Sequence, residues 1–176
     1  MNILKFKKEI TNKTYLAVSV LGKSLKLNIK YLNTNVIELN QKENEIDLIL
    51  PRTYKGKDNT QIINMSVEKL YNKIADIEVE YAMEIARHIL KFAPEDYQIK
   101  RLNNEYYKCV KKQIIINPDI VRFNREIINT TIIQAFCKIK YRSNSISYKK
   151  LLNFAMNQYE LYKNNQNKKD IILKVS

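Results

Sequence analysis

The chain carries one histidine in 176 residues, His88, together with two cysteines, two glycines and three prolines. Each scarcity excludes something. A single histidine cannot supply a two-histidine zinc grip, and no Ser-His-Asp or Cys-His arrangement can be credibly assembled around it. Two cysteines, Cys109 and Cys137, are too few for a disulfide framework and read as reduced thiols of a cytoplasmic protein. So few glycines and prolines leave no room for long flexible linkers or a glycine-rich phosphate loop. No run of about 18 apolar residues occurs, so no membrane span is expected. The start, Met1-Asn2-Ile3-Leu4-Lys5-Phe6-Lys7-Lys8, is too polar and broken for a secretory signal.

Acidic residues are also scarce: 18 Asp and Glu stand against 31 Lys and Arg, a net charge of +13 and a pI near 9.6. That balance points to polyanions such as nucleic acid or an anionic membrane. A chain rich in Lys, Asn, Ile and Tyr is also what A+T-rich codons favour. Such a bias explains the lysines but not the shortage of acids. The hydrophobic fraction of 45% is ordinary for a globular protein, and the length suits one domain or a domain with an extension.

The first part reads as β-structure. Residues 15–21 form a mostly apolar run ended by Gly22. Leu25, Leu27, Ile29 and Tyr31 then alternate with Lys26, Asn28 and Lys30, the period of a half-buried strand. Residues 36–39 and 46–50 repeat the theme around a turn-forming stretch at 40–44, and Pro51 closes the last strand. An antiparallel meander is expected. After a polar loop at 53–60, apolar residues from Val67 through Leu70, Tyr71, Ile74, Ile77, Tyr81, Ile85 and Ile89 predict a long helix from near Ser66, its N-cap, to Phe92, with Pro94 as its stop. Short strands are expected around Tyr97, Ile99 and Arg101 and at 114–116, the second ended by Asn117-Pro118-Asp119. A helix begins close to Asn124 and buries Ile128, Ile132, Ala135 and Ile139. A last helix starts near Ser145, with Tyr148, Leu151, Leu152, Ala155 and Tyr159 as its apolar face. The tail from Lys163 is polar and then ends Ile171-Ile172-Leu173.

The helix after Asn124 reads Ile127-Ile128-Asn129-Thr130-Thr131-Ile132-Ile133-Gln134-Ala135-Phe136-Cys137-Lys138-Ile139-Lys140, followed by Tyr141-Arg142-Ser143-Asn144-Ser145. Ahead of it stand Ile49-Leu50-Pro51, Leu70-Tyr71-Asn72-Lys73-Ile74-Ala75 and Ile116-Asn117-Pro118-Asp119-Ile120-Val121. In order and spacing, from about Val36 to Tyr159, the chain resembles the YgjP-like (SprT-related) zinc metallopeptidases. Their metal helix reads roughly I-x-x-V-I-x-H-E-L-C-H-L-K-x-x-N-H-S, preceded by a V-x-x-P strand end, an R-W-G-S-C strand and an I-x-L-N-P-x-L-V turn. Glu105-Tyr106-Tyr107-Lys108-Cys109 sits where R-W-G-S-C belongs and keeps only the cysteine and an aromatic. Ser145 and Tyr148 fit the H-S-x-x-F segment after the third ligand.

The resemblance implies an α+β fold: an N-terminal antiparallel β-meander followed by a zincin-like helical and β scaffold. Residues 1–30 would be a β extension, 31–162 the degenerate metallopeptidase domain and 163–176 a basic tail. It also implies a lost site. In H-E-x-x-H, two histidines on one helical face hold zinc and the glutamate acts as general base on the bound water. The ligand positions fall on Gln134, Lys138 and Asn144, and the glutamate on Ala135. Amide oxygens are weak ligands, an ammonium repels zinc, and alanine moves no proton. Two arrangements are open for Lys138. Its ammonium fills the former cation position between the Gln134 and Asn144 amides, or its side chain reaches solvent along the former cleft.

Lys100, Arg101, Lys108, Lys111 and Lys112, with Tyr106 and Tyr107, form a candidate nucleic-acid-binding cluster, since single-strand binding combines cations with stacking rings. Lysines also guard solvated sheet edges against unwanted pairing. His88 reads as a half-exposed helix residue, and the two cysteines as small core residues. The expectation is therefore a catalytically inactive metallopeptidase homologue without catalytic or metal-binding residues and without a cofactor. It would act as a binding or structural module for a protein or peptide partner. A basic nucleic-acid-binding protein is the alternative, and an active peptidase with atypical ligands is the remaining reading.

Overall fold

The computed structural model describes the backbone of residues 5–8 and 14–175 and the side chains of residues 16–166. The protein is α+β and divides into two compact units, Met1–Asp76 with Pro118–Arg125, and Ile77–Asn117 with Glu126–Ser176.

The first unit holds strands β1 (Lys5–Lys8), β2 (Thr14–Val20), β3 (Lys23–Leu32), β4 (Glu38–Gln41) and β5 (Glu45–Pro51) in one sheet of order β1-β2-β3-β5-β4. β1, β2 and β3 pair antiparallel, as do β4 and β5, but β5 lies between β3 and β4 and runs parallel to β3. The expected meander is thus corrected. Alternating side chains mark a strand but carry no information about its neighbour or direction. The signal was burial: Ile46, Asp47, Leu48, Leu50 and Pro51 are all buried, as befits a strand flanked on both sides, whereas β4 is short and mostly exposed, as edge strands are.

Val18, Leu25, Leu27, Ile46, Leu48 and Leu50 share the apolar face of this sheet. On the opposite face Asp47 accepts hydrogen bonds from Lys30 Nζ at 2.8 Å, Lys42 Nζ at 2.7 Å and Asn28 Nδ2 at 3.2 Å. The Lys30 bond above all, then those from Lys42 and Asn28, holds this carboxyl well below the usual carboxylate range against the opposing effect of burial.

The β2–β3 turn is the two residues Leu21 and Gly22, with φ of 48° and 80°. Positive φ at both positions is what a type I′ turn requires. Their amides donate to the carbonyls of Val121 (2.7 Å) and Arg122 (3.2 Å) in the 3-10 turn Pro118–Arg122. A Cβ at Gly22 would stand 3.0 Å from Asn124 Cβ. Here glycine answers both a backbone angle and a close approach.

Helix α1 (Thr60–Leu90) begins in this unit and continues into the second. It starts at Thr60 rather than Ser66 because Asp58 Oδ1 accepts from the Thr60 amide at 3.0 Å and from its hydroxyl at 2.7 Å. Ser66 Oγ instead donates to the Ile62 carbonyl at 2.8 Å, the back-bond of a mid-helix serine. Tyr71 is buried, donates to the Ser19 carbonyl at 2.9 Å, and carries the Arg122 guanidinium 5.7 Å from its ring centre. The helix closes at Leu90, before the expected Phe92, as Lys91 turns to φ 58° with its amide on the Arg87 carbonyl.

The second unit holds β6 (Asp96–Ile99), β7 (Tyr107–Val110) and β8 (Gln113–Ile116) in the order β6-β8-β7, with β6 parallel and β7 antiparallel to β8. β7 is not marked as a strand by its sequence. Its turn is Lys111-Lys112, and Lys111 adopts φ 55° where glycine or asparagine would announce a hairpin. Helix α2 (Arg125–Lys140) buries Ile128, Ile132, Ile133, Ala135, Phe136 and Cys137, while Ile139 is only half-buried. Helix α3 (Ile146–Val175) is tied to α2 by Asn129 Nδ2 donating to the Tyr159 hydroxyl at 2.9 Å and Lys163 Nζ to Glu126 at 2.7 Å. The boundary expected at residue 30 falls inside β3 and the one at residue 162 inside α3. The side chains of Ile171, Ile172 and Leu173 lie outside the described residues. Among the described residues no helix is long and apolar enough to cross a membrane.

Gly22→Ala should destabilise the protein by about 1 to 3 kcal/mol, from the left-handed backbone and the Asn124 contact together. Gly56→Ala, at φ 80° with nothing within 4 Å, should cost only the backbone part. Urea denaturation of the two variants checks this, and equal losses would refute the clamp at Gly22.

Candidate functional site

Three of the four residues aligned with metal-site positions come from α2, where the helical period sets them on neighbouring faces. Ala135 is fully buried, Gln134 is half-buried and Lys138 is exposed. Asn144 lies in the turn after the helix, exposed, with φ 73°.

β7 runs beside α2 at this point. Cys109 Sγ donates to the Ala135 carbonyl at 3.5 Å, and Lys138 Nζ stands 4.9 Å from the centre of the Tyr107 ring. Lys138 makes no hydrogen bond to Gln134 or Asn144 among the described residues. It therefore does not bridge the two amides. Its charge lies across an aromatic face at the edge of solvent, an arrangement worth about 0.5–1 kcal/mol at an exposed site. Tyr148 on α3 is near enough for its phenol to feel the ionised forms of Tyr107, Cys137 and Cys109, and Lys138.

Burial sets the protonation of this cluster. It pushes the Tyr107 phenol up to about 12, with the neighbouring thiolates and Glu105 adding to the shift. Burial likewise raises Cys137 to about 11, against a smaller backbone hydrogen bond. It raises Cys109 against the opposing charge of Lys138, and raises Tyr148 as well. At neutral pH the site presents two neutral phenols, two neutral thiols, a carboxamide and one ammonium. It can donate hydrogen bonds and attract a negative charge. It offers neither a nucleophile nor a general base poised near pH 7. Among the described residues no group of three or more His, Cys, Asp or Glu could hold a metal ion.

The basic cluster is divided between β7 and the loops around it. Tyr107, the first residue of β7, stands against Lys138, whereas Tyr106 lies in the loop before the strand and is exposed. The preceding loop is held by Asn117, whose side-chain amide donates to the carbonyls of Leu102 and Glu105, both at 3.0 Å, and whose backbone amide donates to that of Tyr106 at 2.9 Å. Lys112 is paired with Glu95 at 2.7 Å. Lys100, Lys108 and Lys111 are exposed and have no carboxylate partner among the described residues. Arg101 is exposed on the loop after β6.

His88 is exposed on α1, its ring 6.2 Å from that of Tyr162, outside the α2–β7 cluster. Both cysteines are free thiols, Cys137 buried and Cys109 half-buried. Sequence reasoning missed the aromatic seat of Lys138. Tyr107 and Tyr148 were legible as an aromatic and an apolar helix position, but nothing in their spacing joined them.

Burial keeps the Cys137 thiol protonated at pH 8 and also shields it from reagents. Alkylation with iodoacetamide should leave native Cys137 unmodified over hours and modify Cys109 slowly, while both react promptly in denaturant. Mass spectrometry reads the result, and fast modification of native Cys137 would contradict the burial described. No protein-family model, no curated protein and no solved structure matches this chain.

Proposed function

We propose that this chain is a catalytically inactive relative of the YgjP-like zinc metallopeptidases, and that it serves as a binding module for an extended peptide segment. The observation that carries the reading is the Lys138 ammonium resting on Tyr107, on the helix position aligned with a zinc ligand. A fixed positive charge there repels a metal cation. Supporting it is the order of elements: an N-terminal sheet, the long helix α1, the hairpin β7–β8, an Asn-Pro turn and α2. Asn117 of that turn has a definite task in holding the loop before β7.

Binding would use the free edge of β7. β8 occupies one side of this strand, and its other side pairs with no strand among the described residues. An extended peptide can add there by main-chain hydrogen bonds. Zinc analysis of the purified protein, before and after incubation with excess zinc and dialysis, tests the inactive site. Zinc well below one per chain and no hydrolysis of casein are expected. Near-stoichiometric zinc with peptidase activity abolished by Gln134→Ala would establish an active enzyme with atypical ligands instead.

Lys100, Lys108 and Lys111, exposed without carboxylate partners, favour a second reading as a nucleic-acid-binding protein. Titration of single- and double-stranded DNA and RNA from low to physiological salt separates the two. The peptide-binding reading expects nucleic-acid binding only at low salt. Micromolar or tighter binding at physiological salt, weakened by Lys108→Glu and Lys111→Glu, would favour the second.

A further inference from the structure

Within the second unit, the end of α1 and the length of α3 form a groove of about 630 Å³. Ile89 and Leu90 from α1 and Phe154 and Leu161 from α3 give it an apolar lining. Phe154 is 51% exposed and Leu161 56%, although both are large hydrophobic residues on a helix that has a buried face elsewhere in Ala155 and Tyr159. Seven residues apart, they lie on one side of α3, about 10 Å from each other along the axis. Among the described residues, those of α3 that line the groove run from Phe154 to Gln166, about 18 Å of helix.

We infer that this groove is a docking site for an acidic amphipathic helix of a partner protein. Charge selects the occupant. Lys91 lines the groove, is exposed, and has no carboxylate partner among the described residues. Among the described residues no carboxylate lines the groove. Two acids of these helices among the described residues are engaged, Glu84 with Arg87, and Glu160 with Lys163 at 3.0 Å. A second copy of this chain is a poor occupant, because each copy carries a net charge of +13. An acyl chain fits the apolar floor but not the rim. Gln158, Asn165 and Gln166 would face hydrocarbon with their amides unpaired, whereas a peptide helix brings polar side chains to meet them. The groove is separate from the β7 edge and does not depend on the peptidase resemblance.

The test uses the full chain and a fluorescein-labelled 18-residue helical peptide with leucines spaced three, four and seven residues apart and glutamates on the other face. Saturable binding at physiological salt is expected, read by fluorescence anisotropy. Phe154→Asp and Leu161→Asp should weaken it at least about tenfold, as loss of a central apolar anchor does. Lys91→Glu should weaken it severalfold. Ile77→Asp, at a 66% exposed apolar residue of α1 outside the groove, should leave it unchanged. These positions are exposed, so circular dichroism should find each variant folded. A photo-crosslinker on the peptide, expected to label residues of α1 and α3 that line the groove, answers the question without a variant. Absence of saturable binding, binding indifferent to Leu161→Asp, labelling elsewhere, or equal binding of oleate or of a peptide with lysines in place of the glutamates would overturn the inference.

Discussion

The carbonyls of Val121 and Arg122 receive the amides of the β2–β3 turn, and much of the first unit depends on that contact. A type I′ turn forces two residues into left-handed backbone, and here only one of them is glycine. The strain at Leu21 is offset because its amide finds a well-placed acceptor in the 3-10 turn Pro118–Arg122. The same turn supplies Arg122 to the face of Tyr71, whose hydroxyl reaches the Ser19 carbonyl in β2. A chain segment remote in sequence thus joins the sheet and the first half of α1 into one body. At its start, Asn117 performs the equivalent service for the second unit by gathering the loop before β7.

On α2 the apolar frame and the polar chemistry have separate causes. Ile128, Ile132, Ile133 and Phe136 are fully buried, and this apolar stripe is what docks the helix. The intervening residues Gln134, Ala135 and Lys138 leave a site with one positive charge against a ring and neutral phenols and thiols around it. Burial raises Tyr107, Tyr148, Cys109 and Cys137, so these four groups stay protonated beside Lys138 at neutral pH. Such a site is suited to holding a negatively polarised group rather than to moving a proton.

Much of this was readable in the residues. The alternation from Leu25 to Tyr31, the helical spacing through α1 and the buried stripe of α2 follow from side-chain periodicity alone, and the structure places those elements close to where periodicity puts them. The start of α1 was misread because Ser66 has the form of a cap while Asp58 performs that role, and a serine hydroxyl can equally serve the carbonyl four residues earlier. A strand near Cys109 was expected from the resemblance alone, because the β7–β8 turn uses Lys111 in a left-handed conformation that lysine seldom adopts and so carries no hairpin signal. At the candidate site, the residues aligned with the metal positions were legible one by one, whereas the partner of Lys138 was not. A ring on a strand and an ammonium on a helix meet only once both elements are placed.

Composition and periodicity by themselves determined that the protein is α+β, strongly basic, and lacking the paired histidines of an H-E-x-x-H site, because each of these is a property of residue identity or of spacing along one element. Tertiary structure decided that β5 enters beside β3 in parallel, that Tyr107 rather than two amides receives Lys138, and that Phe154 and Leu161 remain uncovered beside α1. Those outcomes depend on contacts between segments distant in the chain. Local pattern states which face of an element is apolar, and only packing states what that face meets.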